Sequence, residues 1–287
     1  PGKFVKVPSI NIKLGAMNRL RVTKKLGFGA YLDGKNLDEI LLPKRYVPEG
    51  CEVDDWLEVF VYLDSEDRPV ATTEPPLAMV GELAWLQVVS VNNMGAFLDW
   101  GLPKDLLVPF SEQKEGMDRG RFYIVYVYLD TVSDRLVGST KLHKHIKAKG
   151  HQYAVGDEVE LIVGDPFELG YNVIIDKRYL GVIYRNEIFQ EVASGQRLTG
   201  YIKKLRPDGK IDVELQRSGT GGREHLAENI MALLKEQGGF LPVTDKSPPE
   251  EIQELFQVSK RAYKRAVGGL YKQRLISIDE DGIRLVR

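Results

Sequence analysis

A threefold internal repeat restricts this chain's fold more than any other feature. Gly29-Ala-Tyr-Leu-Asp33 precedes Glu39-Ile-Leu-Leu-Pro-Lys44, and Gly95-Ala-Phe-Leu-Asp99 precedes Asp105-Leu-Leu-Val-Pro-Phe110. Gly170-Tyr-Asn-Val-Ile-Ile-Asp176 precedes Gly181-Val-Ile-Tyr-Arg-Asn-Glu187. A spacing of about 70 residues is too long for a solenoid unit and suits a small domain.

The flanks repeat as well. An alternating apolar run precedes each glycine: Leu20 to Val22, Leu86 to Val88, Val159 to Val163. A longer β-branched and aromatic run comes after the second motif: Trp56 to Leu63, Phe122 to Leu129, Leu198 to Ile202. Each longer run ends in a turn containing aspartate, and a short strand comes next: Val70 to Thr72, Leu136 to Gly138, Ile211 to Leu215. Five short strands bounded by Gly and Asp turns predict a closed or nearly closed barrel. Closure is expected because a unit of this size buries little core and an open sheet leaves adhesive edges. The glycine opening the second strand suits a bend where the sheet curls. Pro75-Pro76, Lys147 to Gly150 and Ser218 to Gly222 mark the boundaries, the last of these as a flexible linker. The expected domains are residues 12–76, 77–147 and 151–217, followed by 223–287.

The last domain has a different pattern. Apolar positions Leu226, Ile230, Leu233 and Leu234 have helical spacing, and Gly238-Gly239 ends that helix. Phe240 to Val243 is a short extended piece. Ser247 is the expected N-cap of a second helix and Ser259 that of a third, which starts at Lys260. In the third helix Ala262, Tyr263, Ala266, Val267 and Leu270 share one face, and Lys260, Arg261, Lys264, Arg265 and Lys272 share the other. No acid lies between residues 255 and 278. Two short strands around the Asp279 to Gly282 turn make a hairpin. Helix, helix, basic helix and hairpin is the winged-helix pattern. The fold class is mainly β: three tandem five-stranded barrels and a small α+β winged helix.

Gly181-Val-Ile-Tyr-Arg-Asn-Glu187 resembles the Gly-Leu-Val-His-x-Ser-Glu signature of the OB-fold RNA-binding repeat of ribosomal protein S-one. Phe28-Gly-Ala-Tyr-Leu32 and Gly95-Ala-Phe-Leu98 resemble its Phe-Gly-Ala-Phe-Val segment. Three such repeats followed by a winged helix resemble the conserved virulence factor B family of bacterial RNA-binding regulators, over nearly the whole chain from about Ile12. The resemblance implies single-stranded RNA as partner, held by outward aromatics on which bases stack and by cations along the phosphates. Strand alternation turns Tyr31 outward, Phe28 matches the other stacking aromatic, and Lys24 and Lys44 lie nearby in sequence. Phe97 keeps the outward position in the second repeat, but Met94 and Val108 replace its partners, so stacking and packing between barrels are equally expected there. In the third repeat Asn172 replaces the outward aromatic, Tyr184 stands at the histidine position with Arg185 after it, and Arg178-Tyr179 adds a basic-aromatic loop. The basic helix face, Lys260, Arg261, Lys264, Arg265 and Lys272, completes the candidate RNA contacts. Its competing reading is a solvated face or a surface for protein or ribosome docking.

Composition narrows the alternatives. The net charge of −1 over 287 residues makes binding by overall charge weak, so local patches must carry it, and the basic excess sits after residue 200. A single cysteine, Cys51, excludes an internal disulfide and favours a reducing compartment, with the cytoplasm expected. No apolar run spans a membrane. Pro1 as first residue implies a Met or longer leader upstream. No enzyme, cofactor or metal is expected. His143 and His145 fall in a Lys-rich stretch read as solvated or phosphate-facing, and Gly219 to Gly222 lacks the Gly-Lys-Ser/Thr of a phosphate loop. Two readings stand: an RNA-binding regulator, or a DNA-binding or ribosome- and protein-docking module in which the barrels are spacers.

Overall fold

In the computed structural model, residues 11–146, 152–217 and 219–286 are described, and the chain divides into two compact units at Lys147/Ala148. The first unit holds two barrels. Strands β1 (Ala16–Leu26), β2 (Gly29–Asp33), β3 (Glu39–Pro43), β4 (Trp56–Leu63) and β5 (Pro69–Thr72) close in the order β1-β2-β3-β5-β4. Strands β6 (Leu83–Val91), β7 (Gly95–Asp99), β8 (Leu106–Pro109), β9 (Phe122–Asp130) and β10 (Arg135–Ser139) repeat that order. In the second unit β11 (Glu158–Phe167), β12 (Gly170–Ile175), β13 (Tyr179–Tyr184), β14 (Arg197–Leu205) and β15 (Ile211–Glu214) form the third barrel. All pairings are antiparallel except the one that closes each barrel, such as Leu41 with Val70 or Gly181 with Ile211.

The repeated glycine has a steric origin. Gly29, Gly95 and Gly170 open the second strand of each barrel, opposite Pro43, Pro109 and Tyr184. A Cβ at any of them would overlap a backbone carbonyl of the facing strand, that of Leu42, Val108 or Ile183. Only glycine lets the strands approach so closely. Beyond it the strand alternates as expected: Ala30 and Leu32 are buried in the barrel and Tyr31 points out.

The first and last long strands of each barrel are bridged by an outward cross-strand pair at one equivalent position. Arg19 lies over the Trp56 ring at 5.8 Å, Trp85 stacks on Phe122 at 5.9 Å, and Glu160 pairs with Arg197 at 3.4 Å.

Each barrel of the first unit has a core of its own, the first around Leu32, Ile40 and Val59, but the outer side of the first barrel packs into the core of the second. Phe60, Tyr62 and Val70 of the first cluster with Trp100, Leu102 and Leu106 of the second, and Phe60 meets Trp100 edge-on with centroids 6.0 Å apart. Val80 N–H donates to Gly15 O at 2.8 Å, which ties the connecting segment down.

The second unit continues with α1 (Gly219–Glu236), β16 (Phe240–Leu241), α2 (Pro249–Phe256), α3 (Lys260–Lys272), β17 (Ile276–Ile278) and β18 (Ile283–Leu285). Sheet order β16-β18-β17 and three helices make the winged helix, cored by Leu226, Ile230, Leu234, Ile252, Tyr263 and Val267. None of the described helices is long and apolar enough to cross a membrane.

Three local expectations change. Gly219 to Gly222, expected as linker, opens α1, so packing of the Leu226/Ile230/Leu234 stripe outweighs the poor helix propensity of glycine; Ser218 and Lys147 to Gly150 lie outside the described residues. Ser247 does not cap α2. A residue before proline is pushed into extended backbone, so Pro248 takes the N-cap position ahead of Pro249, and the Ser247 hydroxyl accepts from Thr244 N–H at 3.0 Å. His145 is not solvated. It lies between the rings of Tyr126 and Tyr128, centroids at 4.8 and 4.6 Å, with Nε2 3.6 Å from Glu112. Ser259 does cap α3, accepting from Ala262 N–H at 3.1 Å.

All three tryptophans lie in the first unit, so intrinsic fluorescence of the full chain follows that unit alone. Phe60→Ala removes a fully buried ring from the junction between the two barrels. Denaturant unfolding followed by tryptophan fluorescence should show a loss of about 3–5 kcal/mol. The wild-type transition should be single, and the variant's should broaden or split as the two barrels uncouple.

Candidate nucleic-acid interface

On the first barrel, β2 holds Tyr31 outward between two buried neighbours, and Phe28 stands just before the strand, 58% exposed. The two rings meet edge to face with centroids 6.3 Å apart. Lys24, opposite Tyr31 across the β1–β2 ladder, places Nζ 5.6 Å from its ring centre. Lys44 N–H donates to Phe28 O at 2.9 Å, so the exposed Lys44 side chain starts beside the same aromatic. Two flat rings edged by two ammonium groups can stack bases and neutralise phosphate.

Sequence reading overlooked one member of this group. Arg68, in the β4–β5 turn, donates from Nε and Nη2 to Asp64 Oδ2 at 2.9 and 2.8 Å. Hydrogen bonding to Asp64 raises the Arg68 pKa, and the nearby Tyr31 hydroxyl adds to the effect. The register agrees: Tyr31 pairs with Leu41 and Leu41 with Val70, so Arg68, two residues before Val70, leaves the turn on the Tyr31 face. Its only sequence signal was an aspartate-rich turn.

The third barrel repeats the arrangement in altered form. Tyr184 ends β13, half-buried, and Arg206 Nη1 donates to its hydroxyl at 3.4 Å while Nη2 donates to Asp208 at 3.0 Å. Arg185 comes next, exposed, and Asn172 occupies the place that Tyr31 has in the first barrel. Arg178 and Tyr179 are not part of this group. They sit at the far end of β13, where Tyr179 pairs with Ile175 and packs edge-on against Tyr153 at 5.5 Å. At 3.3 Å per residue they are roughly 16 Å from Tyr184.

In the second barrel the strand register corrects the expected alignment by one residue: Pro109 faces Gly95 as Tyr184 faces Gly170, while Val108 matches Ile183 and is fully buried in the core. Phe97 points outward, but the face around it meets the first barrel's β4–β5 turn. There Arg135 is paired with Asp67, and Lys104 Nζ donates to Asp64 O at 2.6 Å.

Helix α3 buries Tyr263, Ala266, Val267 and Leu270 and leaves Arg261, Lys264, Arg265 and Lys272 exposed. Lys260 is half-buried and donates to Lys246 O at 3.1 Å. The helix has no acid of its own, but Asp245 lies 3.5 Å from Lys264 Nζ. Arg261, Lys264, Arg265 and Lys272 line a cleft of about 1410 Å³ whose opposite wall is third-barrel surface, including Tyr201, Lys203 and Arg217. Arg217 lies over the Tyr201 ring at 5.1 Å. Glu158, Glu187 and Glu214 also border the cleft, with Glu187 paired to Lys203. Among the described residues no group of three or more His, Cys, Asp or Glu side chains is arranged to hold a metal. His151 lies outside those residues, and His225 lines the cleft.

Burial pushes the Asp64 carboxyl up, yet hydrogen bonds from Arg68 and Glu66 hold it below its ordinary value of 3.8. A depressed folded pKa means that the Asp64–Arg68 pair is fully present above the unfolded value and is lost as pH falls through the folded one. Carboxyl NMR should place the Asp64 midpoint below 3.8. Arg68→Gln should move it upward.

Comparison with known proteins places these features. A model described as an S1 domain matches residues 14–74, and one described as a CvfB-like winged helix domain matches residues 228–285. The uncharacterized protein YitL of Bacillus subtilis is 30% identical, over 91% of this chain and 90% of its own. Conserved virulence factor B of Staphylococcus aureus is 26% identical, over 96% and 94%. A crystal structure of a multidomain protein with nucleic acid binding domains from Streptococcus pneumoniae is 24% identical, covers 95% of this chain and 98% of its own, and has a TM-score of 0.42. With tandem barrels, a winged helix and relatives aligned over nearly its full length, the chain belongs to the conserved virulence factor B family.

Proposed function

We propose that the protein is a non-catalytic, post-transcriptional regulator that binds single-stranded RNA. The S1-domain match supports a nucleic-acid-binding role. The observation that carries the RNA reading is the recurrence of one chemical group on two barrels: an outward tyrosine beside an arginine that is itself held by an aspartate. Tyr31 stands with Arg68 and Asp64 in the first barrel, and Tyr184 with Arg206 and Asp208 in the third. A ring face takes any base by stacking, and the fixed guanidinium faces the phosphate chain. The basic side of α3, set across the cleft from the third barrel, extends that cationic track.

Tyr31→Ala with Tyr184→Ala should weaken binding of a single-stranded RNA on the order of a hundredfold, since stacking contributes roughly 1–3 kcal/mol per base. Both side chains lie at the barrel surface, so the melting temperature should hold. A fall in melting temperature with unchanged affinity would mark the tyrosines as packing residues. Duplex DNA competing as well as single-stranded RNA would count against the stacking mode.

Changing Arg261, Arg265 and Lys272 together to Gln should flatten the salt dependence of binding. At about 0.7 per phosphate contact on a single strand, three lost contacts reduce the slope of log K against log salt by about two. These three are preferred over Lys260 and Lys264, which already have partners at Lys246 O and Asp245. An unchanged slope in the folded variant would place the phosphate contacts on the barrels alone.

A further inference from the structure

The outward face of the second barrel is not an open platform. The first barrel's β4–β5 turn stands over one side of it and converts it into a pocket of about 460 Å³. Phe97, Met94 and Leu107 supply an apolar wall, and Tyr62 and Asp67 of the first barrel supply the other side. Lys104 and Arg135 lie at the pocket, each fixed to the first barrel's turn, Arg135 by Asp67 and Lys104 by the Asp64 carbonyl. Packing of Phe60, Tyr62 and Val70 against Trp100 and Leu106 holds the two barrels together beneath it, so the pocket is built in advance of any ligand. A volume in this range admits one base with its sugar, and too little room is left for a run of stacked bases.

Asp105 also lines the pocket, half-buried, and it makes no hydrogen bond or ion pair among the described residues. Other carboxylates around this junction are engaged: Asp64 with Arg68, and Asp67 with Arg135 and Lys104. The Asp105 oxygens stay open to the pocket, so a donor on a ligand can take the place of solvent there. Two adjacent N–H donors on a planar ring satisfy a carboxylate best, by the same fork geometry that arginine uses. Among the four RNA bases guanine carries such a pair on one edge, N1–H and the N2 amino group. Uracil offers one donor flanked by two acceptors that a carboxylate would repel.

We propose that this pocket, formed jointly by the first two barrels, receives a single guanine of the bound strand, stacked on Phe97 with its donor edge on Asp105. The proposal rests on the RNA reading above and adds base selectivity, which open stacking faces do not give. Raising of the Asp105 pKa by burial and by the neighbouring Asp99 is consistent with a carboxyl lacking a donor of its own.

The test compares full-length protein on two oligonucleotides, an all-uridine single strand and the same strand with one central guanosine, by fluorescence anisotropy. A matched two-bond edge contact should favour the guanosine strand about tenfold. Asp105→Asn, near-isosteric, should bring the two strands to within about twofold and leave affinity for the uridine strand and the melting temperature unchanged. Phe97→Ala should likewise remove the guanosine advantage. Equal binding of both strands by the wild type overturns the pocket and leaves the RNA reading standing. So does a guanosine preference that survives in folded Asp105→Asn. Binding of neither strand overturns both.

Discussion

Closure of each barrel depends on one backbone contact, the approach of the second strand to the third at Gly29, Gly95 and Gly170. The facing carbonyls of Leu42, Val108 and Ile183 occupy the space that a side chain would need. With that contact made, the third strand can turn back to meet the fifth in parallel, and the sheet has no free edge. The same contact fixes the direction of the side chains after the glycine. Alternation from a fixed start turns Tyr31 and Phe97 outward and Leu32 and Leu98 inward, so the steric constraint that closes the barrel also aims its aromatic residues.

A barrel of this size encloses few side chains, and the first unit adds to them by packing the outer side of the first barrel's β4 into the second barrel's core. Phe60 and Tyr62 belong to the first barrel by strand and to the second by packing. The middle repeat keeps its outward aromatic, Phe97, but not an open face around it. Its outward face must accommodate a neighbour's turn, and Arg135, which in an isolated barrel would be free to meet a ligand, is held by Asp67. The first and third barrels keep an arginine beside their outward tyrosine, Arg68 and Arg206, each held by an aspartate of its own barrel.

Periodic features were legible in the sequence and assembled features were not. Alternation along Gly29 to Asp33 and the two faces of α3 derive from strand and helix geometry alone, and both appear as the residues predict. Arg68 and Arg206 were missed because they sit in turns, where side-chain direction depends on how the hairpin folds back over the sheet. The cleft beside α3 could not be read because its other wall lies some sixty residues earlier, on β14, and only packing unites them. Arg178 and Tyr179 were grouped with Tyr184 by proximity in sequence, and an intervening extended strand separates them. His145 was misjudged because its lysine-rich surroundings resemble solvated chain, while the rings that enclose it come from β9.

The outward pair that bridges the first and last long strands has a different chemistry in each barrel: guanidinium on indole, indole on phenyl, carboxylate on guanidinium. These do not respond alike to the surrounding medium. Dissolved ions leave stacked rings nearly untouched, and they shield the Glu160–Arg197 attraction, whose partners are both about half exposed, within a Debye length of roughly 8 Å at physiological ionic strength. The third barrel's bridge thus fades as electrolyte accumulates, while the corresponding bridge in the second barrel persists.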